Sequence, residues 1–244
     1  MARRPLLALV ALAILAGAGT SADAAGGGGA EAARIVFGHS VEGRDLVARR
    51  VGPDGGPRTV LVVGEIHGDE EAGRAVIRSL RRKRSAARGL TIWTVATINP
   101  DGHAADTRGN AHGVDLNRNF PLDWSDDVPA GDLEYGGPRP LSEPESRAYR
   151  DLVRRLDPDA TVIYHQPWGV VLAPCRGPAP LQHLYARTSR MKVDRCRGEG
   201  LPGTATRWTD SRDGTAFVVE LASGRLGHAE AERHTLAIRK LARG

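Results

Sequence analysis

The sequence is poor in lysine, cysteine, aromatic side chains and long apolar runs. Of its 34 basic residues three are lysines, two residues are cysteines, and 5% of the chain is aromatic. Beyond the first 24 residues no apolar stretch suggests a membrane span, which excludes a multi-pass membrane protein. The composition also excludes a collagen-like chain and disorder throughout, and we find no internal repeat.

The length and composition of the chain fit one folded domain. The chain has 244 residues, of which 41% are hydrophobic and 26% are charged. A chain of this length buries a sizeable core without needing disulfides. Its 30 glycines and 15 prolines favour a loop-rich α/β protein over a helical bundle.

The positive charge does not indicate a nucleic-acid partner. The net charge is +5, and arginine supplies nearly all of the basic residues. The one dense basic cluster, at residues 81–84, is best explained as the solvated C-terminal end of a helix, where the dipole favours cations. No recognisable nucleic-acid-binding module accompanies the cluster, so we expect no nucleic acid to bind.

Residues 1–24 are predicted to be an export signal. Arg3 and Arg4 provide the positive start, residues 6–16 are apolar, and residues 22–24 offer the small side chains of a cleavage site. The apolar run is short for a bilayer span, which needs about 20 residues. An uncleaved anchor is the alternative. We therefore expect a secreted, periplasmic or cell-envelope protein without a stable membrane span after cleavage.

The exported part divides into a lead-in and one domain. Residues 25–33 are a flexible glycine-rich lead-in, and residues 34–244 form the domain. Cys175 and Cys196 both lie in the exported part. Because two lone cysteines outside the cytoplasm usually pair, we predict a disulfide between them.

Strands alternate with helices along the domain. This order predicts an α/β fold whose central sheet is mixed, mainly parallel and twisted, with helices on both faces. Ser142 is predicted to cap the second helix, and the long irregular stretch at 103–142 is too polar to pack as core. The predicted strands are 34–39 and 45–51 as a hairpin, 59–64, 91–98, 160–164 and 215–221, and the predicted helices are 70–84, 142–156 and 228–241.

Titratable side chains stand at the ends of three predicted buried strands, which is where α/β folds place their sites. His67 and Glu70 follow the third strand, with Gly68 allowing a sharp turn between them, and His165 ends a later strand. Two imidazoles and one carboxylate are a ligand set of catalytic zinc, which keeps a fourth position open. The alternative for each histidine is a hydrogen-bonded core residue.

Glu220 lies near the end of the last predicted strand, among apolar neighbours. Hydrolysis at a metal needs a base that takes a proton from water and returns it to the leaving amine. Burial favours the protonated form of a carboxylate, which suits a group that alternates between base and acid. A structural ion pair with an arginine is the alternative.

The long irregular stretch contains several motifs that occur together in one known family. They are Asn-Pro-Asp-Gly at 99–102, Thr-Arg-Gly-Asn at 107–110 and Gly-Val-Asp-Leu-Asn-Arg-Asn-Phe-Pro at 113–121. Together with His-Gly-Asp-Glu at 67–70, these motifs resemble those of the zinc carboxypeptidase family (peptidase family M14). Residues 38–44 also resemble the family's N-terminal strand motif. The resemblance extends over about residues 38–221.

The resemblance implies a metal centre. His67, Glu70 and His165 match the family's zinc ligands, with one zinc ion per chain. Asp115 matches a carboxylate that orients the first histidine.

It also implies the residues that act on the substrate. Glu220 matches the general base and proton shuttle, and Arg108 matches the arginine that stabilises the carbonyl oxyanion. Asn117 and Arg118 match the pair that holds a free carboxylate of the substrate, for which a guanidinium is well suited.

One departure points to a branch of the family. Digestive-type members carry a mobile tyrosine between the last zinc histidine and the catalytic glutamate, whereas here the only tyrosine in that interval is Tyr185, in a predicted helix. We assign no such tyrosine. The text of residues 201–208 and the short chain resemble bacterial murein peptide amidases, which cleave the γ-D-glutamyl–diaminopimelate bond.

These observations predict a secreted, monomeric zinc peptidase or amidase. Its substrate is expected to be a short peptide or muropeptide with a carboxylate beside the scissile amide. Two enzymatic alternatives are a metallocarboxypeptidase acting on ordinary peptide C-termini and a deacylase of the aspartoacylase type. A non-catalytic wall-polymer-binding protein is the fourth reading, and the presence of all three ligands and the base argues against it.

Overall fold

Eight β-strands form one sheet in the computed structural model. The structure describes residues 33–53, 55–83, 87–174, 177–195, 201–212 and 214–244. The export signal at 1–24, most of the lead-in, and both Cys175 and Cys196 lie outside the described residues. The signal and the disulfide therefore stay predictions.

The central strands of the sheet are parallel and its flanks are mixed. The strands are β1 (Arg34–His39), β2 (Asp45–Val51), β3 (Thr59–Val63), β4 (Thr91–Val95), β5 (Ala160–His165), β6 (Trp168–Ala173), β7 (Lys192–Arg195) and β8 (Thr215–Ala222). In the spatial order β1-β2-β4-β3-β5-β8-β6-β7, the neighbours β4, β3, β5 and β8 all run parallel. β2 and β6 pair antiparallel on either side of this group.

Six α-helices are present in the described residues, and a 3-10 turn at Leu116–Arg118 precedes the third. None of the described helices is both long and apolar enough to cross a bilayer. The helices are α1 (Gly73–Arg82), α2 (Pro100–Ala105), α3 (Pro144–Leu156), α4 (Pro180–Ser189), α5 (Ala205–Asp210) and α6 (His228–Leu241).

Both faces of the sheet are covered because its central strands are apolar on both sides. Along β3, Val60 and Val62 belong to one core, and Leu61 and Val63 belong to the other. Helices α1, α4 and α6 complete the first core, and α3, α5 and the segment around Phe120 complete the second. Burying each such side chain contributes about 1.5 to 3 kcal/mol. The predicted α/β class and two-faced arrangement are thus confirmed.

The opening hairpin of β1 and β2 is confirmed, and Tyr185 lies in helix α4 as expected. The expected cap is wrong: α3 begins at Pro144 with Glu143 before it, and the Ser142 hydroxyl donates to the Glu143 carboxylate at 2.7 Å instead. Proline favours the first helical position because its fixed φ suits the start of a helix, so the cap position falls on Glu143 and Ser142 lies one residue before it.

The long irregular stretch contradicts the expectation that it is too polar to pack. Val114, Leu116 and Phe120 are fully or almost fully buried, and so is Asn119. The side-chain amide of Asn119 donates a hydrogen bond to the carbonyl oxygen of Gly136 at 2.7 Å. Polar residues whose hydrogen bonds are met inside the protein can be buried at little cost.

Candidate active site

The first two candidate ligands follow β3 on a tight turn. The Glu70 amide donates to the carbonyl oxygen of His67 at 3.2 Å, which brings the two side chains to the same side. Gly68 is required here for a close approach rather than for a positive φ. A Cβ on Gly68 would lie 2.0 Å from the carbonyl carbon of Gly102, so the turn packs directly on helix α2.

His67, Glu70 and His165 converge at the carboxyl ends of β3 and β5. The Nδ1 atoms of the two histidines are 3.3 Å apart, and each lies 3.0 Å from one carboxylate oxygen of Glu70. The imidazoles are almost fully buried. The described part of the chain holds no other cluster of three or more metal-binding side chains this close together.

These spacings fit a zinc ion. Ligand atoms about 2.0 to 2.1 Å from a tetrahedral centre lie about 3.3 to 3.4 Å from one another, which is close to the observed separation of the two nitrogens. Two imidazoles and one carboxylate are also donors that zinc prefers. His67, Glu70 and His165 are therefore able to hold the metal.

Asp115 fixes the orientation of the His67 ring. The Nε2 atom of His67 lies 3.1 Å from Asp115 Oδ1, so an N–H at Nε2 leaves the lone pair of Nδ1 for a metal. Asp115 also accepts the amide N–H of Asn117 at 2.8 Å. Its carboxylate is completely buried and is therefore held rigidly.

Arg108 lies on the other side of the same carboxylate. Its Nε and Nη2 atoms donate to Asp115 Oδ2 at 3.0 and 2.8 Å. This two-point contact aims Nη1 at the ligand cluster, 3.2 Å from His67 Nδ1 and 3.5 Å from Glu70 Oε1. The guanidinium thus presents a positively charged N–H group to the ligand cluster.

The charges of the cluster favour a cation between its donors. Burial opposes protonation of His67, but the carboxylates of Asp115 and Glu70 raise its pKa to about 9. Burial opposes ionisation of Glu70, yet His165 and His67 lower its pKa well below the usual range. Burial also lowers the pKa of His165, which keeps that imidazole neutral. A neutral imidazole is the form that binds a metal.

Glu220 faces the cluster from β8. It is paired with His165 across the parallel strands β5 and β8. Its side chain is buried, and its Oε2 atom has no hydrogen-bond partner among the described residues. Burial, followed by repulsion from Glu70, raises the pKa of Glu220 to about 7. A buried carboxylate with one unpartnered oxygen and this pKa is able to accept and release a proton near neutral pH.

Asn117 and Arg118 lie in the 3-10 turn that follows Asp115. The side-chain oxygen of Asn117 accepts the amide N–H of Ala205, which ties the turn to helix α5. Arg118 is buried, with Nη1 donating to the carbonyl oxygen of Asn117 at 2.9 Å and Nη2 donating to Glu134 Oε1 at 2.8 Å. The structure therefore places a carboxylate of the chain itself on Arg118.

Two residues of the site, Gln166 and Glu134, are not predicted by the sequence. Gln166 supports the Glu70 segment. Its main-chain N–H donates to Glu70 Oε2 at 3.2 Å, and its side-chain oxygen accepts the main-chain N–H of Ala72 at 3.1 Å. Its position directly after His165 was an available signal. Glu134 lies in a polar segment without a motif or a strand end, so nothing in the sequence singles it out.

Comparison with known proteins gives a consistent result. The family model described as "Zinc carboxypeptidase" (Peptidase_M14) matches residues 30–195. Murein peptide amidase A of Escherichia coli K12 is 29% identical over 171 residues, which cover 61% of this chain and 64%, a little less than two thirds, of that relative. The Vibrio campbellii protein of the same name is 28% identical over 196 residues, covering 76% of this chain and 77% of the relative.

A solved structure has the same fold. The crystal structure of the murein-tripeptide amidase MpaA from Escherichia coli O157 superimposes with a TM-score of 0.66 at 25% identity. The superposition covers 86% of this chain and 92% of that one.

Proposed function

The chain belongs to the zinc carboxypeptidase family, peptidase family M14, and we propose that it hydrolyses an amide bond beside a carboxylate-bearing residue of a short peptide. One observation carries this proposal. Three zinc-type donors lie within 4.8 Å of one another, and Glu220, a buried carboxylate with an unpartnered oxygen, stands on the neighbouring strand.

His67, Glu70 and His165 hold one zinc ion per chain in this proposal. When bound, zinc lowers the pKa of a coordinated water to about 7 and polarises a carbonyl group. Asp115 keeps the His67 ring in the orientation that directs Nδ1 towards the ion. One chain brings all of these residues together, and the proposal accordingly takes the enzyme to be a monomer.

Glu220 is the general base and then the general acid. With a pKa of about 7 it exchanges a proton at neutral pH, accepting it from water and donating it to the leaving amine. Arg108 stabilises negative charge on the carbonyl oxygen, because its Nη1 already points at the ligand cluster.

Arg118 and Asn117 hold the substrate carboxylate. The guanidinium of Arg118 is buried and anchored to the main chain at one nitrogen, which gives a fixed cation at one end of the site. A fixed guanidinium recognises a carboxylate better than a mobile lysine does. The site therefore selects substrates by the distance between their carboxylate and the scissile amide.

We place the substrate in the cell wall. Support comes from the murein peptide amidases among the relatives and from the export signal predicted at residues 1–24. The proposed bond is the amide between γ-D-glutamate and diaminopimelate, cleaved outside the cytoplasm in the periplasm, the cell envelope or the medium.

The test compares three substrate types on purified, zinc-loaded protein. They are γ-D-glutamyl–diaminopimelate peptides, ordinary peptides with free C-termini, and N-acyl amino acids. We expect hydrolysis of the first type, inhibition by a chelator and recovery on adding zinc. Preferential cleavage of the second or third type would instead identify the protein as a carboxypeptidase or a deacylase, respectively.

The variant Glu220→Gln is the control for mechanism. It keeps the shape of the side chain but cannot take up a proton, so kcat should fall by about 10²- to 10⁴-fold. Zinc content, measured by elemental analysis, should stay equal to that of the wild type. Substantial residual turnover, or loss of zinc, would contradict the role of Glu220 as the base.

A further inference from the structure

The guanidinium proposed to hold the substrate carboxylate is already paired. Arg118 donates from Nη2 to Glu134 Oε1 at 2.8 Å, and the Arg118 side chain is 8% exposed, whereas that of Glu134 is 53% exposed. The pair thus lies at the boundary between the buried end of the site and the solvent. A ligand that reaches Arg118 meets the carboxylate of Glu134 beside it.

The main chain holds Glu134 in this position. The Glu134 amide donates to the side chain of Asp132 at 2.9 Å. The next residue, Tyr135, accepts the amide N–H of Asp115 at its carbonyl oxygen, at 2.8 Å. The segment that carries Glu134 is therefore fastened to the same Asp115 that orients His67.

The loop before Glu134 also borders an open cavity beside Arg108. Asp132 and Leu133 line this cavity of about 590 Å³ together with Arg108, whereas Glu134 and Arg118 lie outside its lining.

The paired charges restrict which end group can bind. A ligand that carries only carboxylates must bind Arg118 beside the negative charge of Glu134, or displace Glu134 and leave it without its cation. A ligand with a carboxylate and an ammonium group can pair with both residues. Like charges that face each other in a site discriminate against the wrong partner.

We propose that Glu134 is a specificity residue that binds an ammonium group of the substrate beside the carboxylate held by Arg118. Together the two residues select peptides whose carboxylate-bearing residue has a second, free amino group. Diaminopimelate has that chemistry, since one of its amino groups forms the scissile amide and the other remains an ammonium. The inference rests on the proposed function and deepens it by assigning part of its substrate choice to Glu134.

The test uses two γ-D-glutamyl peptides that differ at one position. One ends in diaminopimelate and the other in 2-aminopimelate, which has the same carbon chain and both carboxylates but lacks the second amino group. We expect the wild type to prefer the first by about two- to fivefold in kcat/KM, the range of a partly exposed ion pair. In Glu134→Gln this preference should disappear because the KM values of the two peptides become equal, while kcat stays nearly unchanged.

Asp126→Asn is the matched control, because it removes an exposed negative charge from the same irregular stretch. It should keep the wild-type preference. A preference that is absent in the wild type, or that survives in Glu134→Gln, would overturn the proposal. Thermal unfolding of both variants shows whether the substitutions leave the fold intact.

A binding measurement separates this inference from the proposed function. Calorimetry on zinc-loaded Glu220→Gln protein, with and without Glu134→Gln, gives the Kd values of the same two γ-D-glutamyl peptides, in which the amine of 2-aminopimelate is blocked by the amide. If neither amide is hydrolysed by the wild type, the proposed function fails. A difference between the two Kd values that depends on Glu134 would still support the inference, and equal Kd values would refute it.

Discussion

At the scale of single residues, the site is a chain of charges in contact. Asp115 contacts both His67 and Arg108, and Arg108 in turn contacts Glu70. Each carboxylate faces a cation or a ligand nitrogen, with the exception of one oxygen of Glu220. The proposed base is thus distinguished by one carboxylate oxygen without a hydrogen-bond partner among the described residues.

Arg118→Lys tests the geometry of the carboxylate clamp at this scale. Lysine keeps the positive charge, but a single ammonium cannot replace the two nitrogens that bind the Asn117 carbonyl oxygen and a carboxylate. Losing one charge-assisted hydrogen bond costs about 1.5 to 3 kcal/mol, so KM should rise about 10- to 100-fold while kcat changes little. Steady-state kinetics on the diaminopimelate peptide measures both constants. An unchanged KM would show that another residue holds the carboxylate.

At the scale of the elements, burial explains what the sequence predicts well. Strands β3, β4 and β5 are covered on both faces, so each appears as a continuous apolar or β-branched run. A titratable residue at or near the end of such a run is conspicuous, and for this reason the sequence predicts His67, His165 and Glu220 as candidate site residues.

Elements without a continuous apolar run were missed. Strand β7 has the sequence Lys-Val-Asp-Arg at the edge of the sheet, and β6 is only partly buried. Helices α2 and α5 have six residues each, too few to show a helical period. The contact of Glu134 with Arg118 depends on how the long irregular stretch folds, which no local pattern encodes.

A buried histidine joins three elements behind the site. His234 of α6 lies 2.6 Å from the hydroxyl of Tyr185 in α4, and that hydroxyl lies 2.6 Å from the hydroxyl of Tyr164 in β5. Burial lowers the pKa of His234 to about 4, against an ordinary value of 6.5. The folded state therefore resists protonation here, while the unfolded chain accepts a proton below about pH 6.5.

His234 should make the domain less stable in mild acid. Its contribution is fully present above pH 6.5 and decreases as the pH falls towards 4, by about 2 kcal/mol between pH 8 and pH 5. His234→Asn keeps a polar group for Tyr185 but does not titrate, so its free energy of unfolding should fall less over this interval. Urea unfolding in chelator at both pH values measures the difference. The exposed His228→Asn is the control, and parallel losses in the wild type and His234→Asn would contradict the assignment.

At the scale of the whole molecule, the site connects segments that are distant in the chain. The ligands come from the ends of β3 and β5, the proposed base comes from β8, and the long irregular stretch supplies Asp115, Arg108 and Arg118. A metal that binds only when these segments are in place stabilises the folded state by RT ln(1 + [L]/Kd). Metal binding and unfolding are therefore linked.

Removing the metal should lower the melting temperature of the domain. At a free zinc concentration of 100 Kd the linkage contributes about 2.7 kcal/mol, which corresponds to a Tm difference of roughly 5 to 10 °C for a domain of this size. Calorimetric scans with zinc and with excess chelator measure it. Glu220→Gln should keep the full difference because it is not a ligand, whereas His165→Gln should lose most of it. Equal melting temperatures of the wild type in zinc and in chelator would mean that His67, Glu70 and His165 do not hold the ion in the folded protein.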